Sequence, residues 1–219
     1  MDRNDPAYRG QADYNKLLLR LYDPLVLGPI VRFAWRFSAA QGVDLYRQHI
    51  RPNHLDVGPG TGYFLEKAGL PSGSKVTILD PNAAVLRYVT RRLRDLDVTA
   101  VEADVLKPLP VSGPFESAGM CAVLHCLPGP LERKAAAMAN IARVLAPNAT
   151  FFGFTVLGRS ARHTRLGRAM LTAFNRRGTF DNLDDTEEGI EEILRRAFRE
   201  VTIQTVGGIA VFTARSPKL

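Results

Sequence analysis

Apolar positions along this chain switch repeatedly between two periods, and the switching lays out an order of elements. Short runs read as strands: the stretch through His54-Leu55-Asp56-Val57, then Ser74 to Leu79, Val98 to Ala103, Phe115 to Leu124 and Ala149 to Val156. Helical stripes separate them. Tyr63 to Ala68 opens one helix, Leu86, Val89, Leu93 and Leu96 line a second, and Met138, Ile141, Ala142 and Leu145 line a third that Pro147 should stop. From Asp184 to Phe198 a further helix carries acids in its first turns and arginines in its last, with Ile190, Ile193, Leu194, Ala197 and Phe198 turned inward. Val201 to Val206 and Ile209 to Ala214, joined at Gly207-Gly208, read as a closing hairpin. Ahead of the first strand stand an apolar helix over Tyr14 to Tyr22, a break at Pro24, a second apolar stretch over Leu25 to Phe37, and a helix over Ala39 to Ile50. The expected fold is α/β: a Rossmann-like seven-stranded sheet, helices on both faces, an antiparallel C-terminal hairpin and an N-terminal helical cap.

The first strand runs into Asp56-Val57-Gly58-Pro59-Gly60-Thr61-Gly62 before its helix. Glycines suit a sharp turn that must leave backbone N–H groups open to a ligand. A dinucleotide fingerprint would space them G-x-G-x-x-G, but the third of those positions is Tyr63. A carboxylate two residues before the first glycine would repel a diphosphate and attract an ammonium group. With this acid and this glycine pattern the sequence resembles the class I S-adenosylmethionine-dependent methyltransferases, over roughly residues 50 to 215. The resemblance implies S-adenosylmethionine as cofactor, with Asp56, Gly58, Gly60 and Gly62 holding it.

Further site residues follow along the strand ends, where ligands of open α/β sheets bind. Asp80 closes the second strand twenty residues after Gly60, and the resemblance places it, with Pro81 beside it, against ribose hydroxyls. Asp80-Pro81 also reads as a helix N-cap with proline at the first helical position, and the two roles are compatible. Asp104 and Val105 follow the third strand and, by resemblance, meet the adenine. Tyr22 resembles a tyrosine that precedes the first motif in several small-molecule methyltransferases; it also reads, like Tyr14 and Trp35, as a core aromatic. Leu124-His125-Cys126-Leu127-Pro128 resembles the segment after the fourth strand in many such enzymes. No Asn-Pro-Pro-aromatic or Asp-Pro-Pro-aromatic signature of nucleic-acid amino-methyltransferases is present, nor an acid of the metal-dependent catechol type. Cys126 reads as packing. His125 is the candidate catalytic base, the other reading being a pocket wall; His163 is a weaker second, and His49 and His54 are expected to have no role.

Composition narrows this little. A chain of 219 residues, 46% apolar, suits one domain: a helical cap over 1–50, a cofactor-binding core over 51–157, a substrate lid over 158–183 and a terminal helix and hairpin over 184–219. Two cysteines give neither a disulfide framework nor a metal cluster, and no metal is expected. The polar start and the interrupted apolar stretch over 17–37 indicate neither a secretory leader nor a membrane span, so a cytoplasmic protein, monomeric or homodimeric, is expected. The net charge of +7 gathers partly in the lid, where Arg159, Arg162, Arg165, Arg168, Arg176 and Arg177 run without an acid beside an apolar stripe of Leu166, Met170 and Phe174. That run reads as a solvated face or as a guide for an anionic substrate. The function this resemblance implies is methyl transfer to O, N or C of a small molecule, such as a secondary metabolite. The rivals are an RNA or protein methyltransferase using the basic lid and a non-catalytic scaffold; a nucleic-acid partner is not expected.

Overall fold

A computed structural model describes residues 31–218; the helix expected over 14–22, with Tyr14 and Tyr22, lies outside the described residues. Helix α1 (Val31–Trp35) ends at Arg36, whose φ of 55° turns the chain. Helix α2 (Ala39–His49) starts from a capping box in which the Ser38 hydroxyl accepts from the Gln41 amide and the Gln41 side chain accepts from the Ser38 amide. Strand β1 (Asn53–Val57), α3 (Tyr63–Ala68), β2 (Lys75–Asp80), α4 (Ala83–Arg92) and β3 (Asp97–Glu102) follow. Next come β4 (Phe115–Cys121), α5 (Leu131–Ala142), β5 (Leu145–Val156), α6 (Arg165–Arg176), α7 (Glu187–Ala197), β6 (Phe198–Val206) and β7 (Ile209–Pro217).

The strands form one seven-stranded sheet in the order β3-β2-β1-β4-β5-β7-β6. Neighbours pair in parallel through β5, and β7 runs antiparallel to both β5 and β6. Strand order reverses between β1 and β4, so the crevice beyond their carboxyl ends is where this architecture takes a ligand. Both faces are covered, which is why the central strands read as continuous apolar runs. Leu55, Val57, Phe151 and Phe212 bury one face with α5 and α7. Ile78, Val89, Phe152 and Phe154 bury the other with α2 and α4.

Four local expectations change. Strand β4 stops at Cys121, because Ala122 makes a last bond to the Phe154 carbonyl and then turns with φ 59°; Leu124–Cys126 is a single 3₁₀ turn. Pro147 does not stop α5, which ends at Ala142, but sits inside the start of β5. The register shifts there between Phe115 and Ser117, and a residue without an N–H is tolerated at such an irregularity. Asn82, not Asp80, caps α4 by accepting from the Ala84 amide. In α6 the inward face carries Gly167 and Leu171, while Leu166 is 48% exposed. The bare Gly167 lets α6 close on the Ala34 carbonyl of α1, which sets the rotation of the helix.

Candidate active site

The glycine turn joins β1 to α3 at the switch point. Gly58, Gly60 and Gly62 all have positive φ (65°, 56° and 74°), a region other residues enter only with strain. A Cβ on Gly58 would collide with Val123, and one on Gly62 would lie 3.0 Å from Val89; a Cβ on Gly60 would meet nothing within 4 Å. The turn is thus packed at both ends and open in the middle. Its ends are tied: the Gly58 amide donates to the Leu79 carbonyl (2.8 Å) and the Gly62 amide to Pro59 (2.8 Å). Arg92 of α4 donates to the Thr61 carbonyl (3.1 Å), pairs with Glu66 and lies 5.7 Å from the centre of the Tyr63 ring.

Asp56 lies beneath this turn with no exposed surface. Its Oδ2 accepts from the Tyr46 hydroxyl (2.8 Å) and lies 3.3 Å from His54 Nε2. His54 Nδ1 in turn contacts the Ser117 hydroxyl at 2.8 Å, and that hydroxyl accepts from the Arg51 amide. His54, for which no role is expected, is fully buried beside the acid. Gly119 of β4 makes room for the pair, since a Cβ there would sit 3.2 Å from Asp56 Oδ2. Burial, with the nearby Asp56 charge second, raises both the Tyr46 phenol and the Cys121 thiol well above their usual values, so neither ionises. The other carboxylate oxygen, Asp56 Oδ1, is sealed and finds no hydrogen-bond partner among the described residues. A buried acceptor left without a partner costs about 1–3 kcal/mol.

At the β2 end, Asp80 is 6% exposed and its Oδ1 accepts from the Asn82 amide (2.7 Å). Burial pushes its carboxyl up to about 7, against the pull of that amide. Past β3, Asp104 Oδ1 accepts from the Leu106 amide (2.9 Å), which folds the loop back. Asn140 of α5 then pins it by donating to the carbonyls of Val105 (3.0 Å) and Lys107 (2.8 Å). A buried asparagine on the apolar stripe of that helix, next to Ile141 and Ala142, was the available clue to this anchor.

His125 lies in the turn after β4, buried, with its ring centre 4.3 Å from that of Phe180. The Val156 amide donates to Nδ1 (3.2 Å). The Thr155 hydroxyl accepts from the His125 amide (3.1 Å) and lies 3.0 Å from Nδ1, to which its own hydrogen is free to donate. The Nδ1 lone pair is therefore occupied, and this hydrogen-bond network assigns the ring hydrogen to Nε2. Burial first, then Lys134, lowers its pKa to about 3, so the ring stays neutral in ordinary buffers. A neutral imidazole with its hydrogen on Nε2 offers a donor there, not a base. Of the two readings made for His125, the geometry favours the wall. His163 is also buried, with Nε2 on the Gly158 carbonyl (2.7 Å) and its ring against Trp35, itself a buried core aromatic. Cys126, raised to about 12 by burial, fits packing.

The segment before α7 closes over this turn. Asp181 donates its amide to the His125 carbonyl (2.9 Å), accepts from the Gly129 amide on Oδ2 (2.7 Å) and gives its carbonyl to Lys134 Nζ (2.6 Å). Lys134 is fully buried and pairs with Asp185 at 2.7 Å. Asn182 donates to the Val156 carbonyl (2.8 Å) and interlocks with Asn175 of α6.

Residues 55–153 match the family described as "Methyltransferase domain". The chain is 34% identical over 207 residues to the demethylluteothin O-methyltransferase of Streptomyces thioluteus, covering 94% of this chain and 90% of that one. It is 37% identical over 179 residues to the N-methyltransferase vrtF of Penicillium aethiopicum, covering 80% and 74%. Among solved structures, the N-methyltransferase NodS from Bradyrhizobium japonicum WM9 with S-adenosyl-L-homocysteine superposes with a TM-score of 0.64 at 17% identity, over 92% of this chain and 98% of that one. Fold, glycine turn and relatives agree, and the chain belongs to the class I S-adenosylmethionine-dependent methyltransferases that act on small molecules.

Proposed function

We propose that this chain holds S-adenosylmethionine in the turn between β1 and α3 and passes its methyl group to a small acceptor over the His125 turn. The observation that supports the reading is the open place at Gly60, in a turn of three positive-φ glycines that follows the buried Asp56 at the sheet's switch point. A ligand with a backbone-sized chain fits that place, and the negative end of β1 favours an ammonium group on it. Asp56, Gly58, Gly60 and Gly62 would hold its amino-acid end, Asp80 and Pro81 the ribose, and Asp104 and Val105 the adenine. The Tyr22 expectation lies outside the described residues. When bound, the cofactor supplies a methyl group already activated on a sulfonium, so the protein's work is to align and to exclude water. Residues 158–183 serve as the substrate lid, and residues 1–219 act as one domain. Among the described residues no helix is long and apolar enough to cross a membrane.

Titration calorimetry with S-adenosylhomocysteine tests this directly. The wild type should bind, and Asp56→Ala combined with Asp80→Ala should weaken binding by about a hundredfold or more, the loss of two charged hydrogen-bonding partners. Unchanged affinity would remove the assignment.

Asp80 adds a pH dependence with a definite sign. Its ionised form accepts both ribose hydroxyl protons, and that form prevails only above a pKa of about 7. Binding favours the ionised form and releases a proton below that point. Affinity at pH 6 should therefore be about tenfold weaker than at pH 8, and Asp80→Asn should flatten the profile. For folding the sign is opposite: a carboxyl raised from 3.8 to about 7 makes the native state progressively less stable as pH rises through that window.

A further inference from the structure

Asp56 is held by a chain of buried side chains drawn from α2, β1 and β4, and what that chain does for the site rests on the cofactor reading above. Asp56 Oδ2 accepts the Tyr46 hydroxyl of α2 at 2.8 Å and lies 3.3 Å from His54 Nε2 on its own strand. His54 Nδ1 meets the Ser117 hydroxyl of β4 at 2.8 Å. His54, Asp56 and Ser117 have no exposed surface, and Tyr46 is buried with them. Strand register brings them together, since β1 and β4 set His54 beside Ser117 and Asp56 beside Gly119. A Cβ on Gly119 would sit 3.2 Å from Asp56 Oδ2 and 3.3 Å from His54 Nε2, so the bare glycine makes the room. Aromatic neighbours hold both rings. Phe152 of β5 stacks on His54 (5.8 Å between centres) and stands edge-on to Tyr46 (5.1 Å), while Phe64, in the first turn of α3, stacks on Tyr46 (5.5 Å).

These partners also assign the hydrogens. The Arg51 amide donates to Ser117 Oγ at 2.9 Å, which leaves the hydroxyl hydrogen free for His54 Nδ1. Nδ1 then accepts, the ring hydrogen sits on Nε2, and Nε2–H donates to Asp56. The reverse tautomer would set a bare nitrogen lone pair against a carboxylate oxygen. The other ionisable groups facing this carboxylate, the Tyr46 phenol and the Cys121 thiol of β4, keep their hydrogens, because burial first and the Asp56 charge second raise both. The negative charge therefore stays on Asp56, with two donors on one of its oxygens.

We propose that His54 and Tyr46 are positioning residues for the cofactor: together they fix the Asp56 carboxylate in rotation and keep its charge beneath the glycine turn, so that a cationic ligand meets a field of fixed place and strength. Ser117 acts one step further back, by setting the tautomer of His54. A carboxylate buried without such donors takes up a proton and loses its pull on a cation. In a sealed site the charge is poorly screened, so its exact placement matters more than it would in water. Because Tyr46 comes from α2, the helix ahead of the first strand contributes to cofactor affinity through Asp56.

Titration calorimetry with S-adenosylhomocysteine at pH 8, above the value of about 7 at which Asp80 ionises, tests the coupling. Tyr46→Phe keeps the ring between Phe64 and Phe152 and removes only the hydroxyl; it should weaken binding about fivefold. Asp56→Ala should weaken binding about tenfold or more, and adding Tyr46→Phe to it should cost nothing further, since the tyrosine acts only through the acid. A tyrosine that merely supports the fold would leave affinity unchanged in the single variant, or the two losses would multiply to about fiftyfold. Either result overturns the proposal. His54→Gln, which can still donate to Asp56 and accept from Ser117, should bind within about twofold of the wild type, whereas His54→Leu should lose about fivefold. Equal affinities of these two variants overturn it as well. Nitrogen NMR of the wild-type imidazole decides without any variant: at pH 7 the His54 hydrogen is expected on Nε2, and a ring protonated on Nδ1 or on both nitrogens overturns the proposal. A wild type that takes up no S-adenosylhomocysteine overturns the cofactor reading and this inference with it; uptake that Asp56→Ala weakens and Tyr46→Phe leaves alone overturns this inference only.

Discussion

Gly58→Ala should cost the protein about 2–5 kcal/mol of stability, whereas Gly60→Ala, two residues on, should cost about 1 kcal/mol and lose ligand binding instead. Both glycines have positive φ, so both substitutions pay the left-handed penalty. They differ in what the new methyl meets. At 58 it runs into Val123 of the neighbouring strand connection, a partly buried side chain packed against the core. At 60 it enters open space, the same space a bound ligand would use. Thermal unfolding and calorimetric titration of the two variants should therefore give opposite rankings. A Gly60→Ala protein that binds S-adenosylhomocysteine like the wild type would show that the middle of the turn is not the cradle.

Lys134→Met should lower stability by about 3–5 kcal/mol, because it leaves the buried Asp185 carboxylate without its cation. In a chain of this size that is a fall in melting temperature of roughly 10 °C. Burial already holds the Asp185 carboxyl above its usual range, against the pull of Lys134. Without the lysine it rises further, so the variant's native state binds more protons than its unfolded chain. Its deficit should shrink as pH falls and grow as pH rises. Adding Asp185→Asn should recover at least half of the loss. A single variant as stable as the wild type across pH 5 to 8 would mean that the pair is not sealed.

Much of this architecture can be read from residue order because periodicity reports burial. The two-sided apolar runs of β1, β2 and β5, the acids and arginines at opposite ends of α7, and the Gly207-Gly208 hairpin all appear where the pattern puts them. What periodicity misses is polar matter inside apolar elements. His54 and Asp56 occupy alternate positions on one face of β1, and only the arrival of Tyr46 from α2 and the gap at Gly119 make that arrangement tolerable. Those partners lie ten and more residues away, beyond any local pattern. Arg87, Arg91, Arg92 and Arg94 all lie off the apolar stripe of that region, and nothing in the sequence distinguishes Arg92, the one that reaches the turn. The tautomer of His125 depends on an amide thirty-one residues downstream.

Asp181 joins three things through its amide, carboxylate and carbonyl: the turn bearing His125, the start of α5 and the buried lysine. Cover and floor consequently travel as one piece. Anyone grafting a relative's specificity onto this scaffold should find that swapping α6 alone yields a mismatched hybrid. A working chimera needs its splice points outside residues 156 and 185, so that the knot is inherited whole.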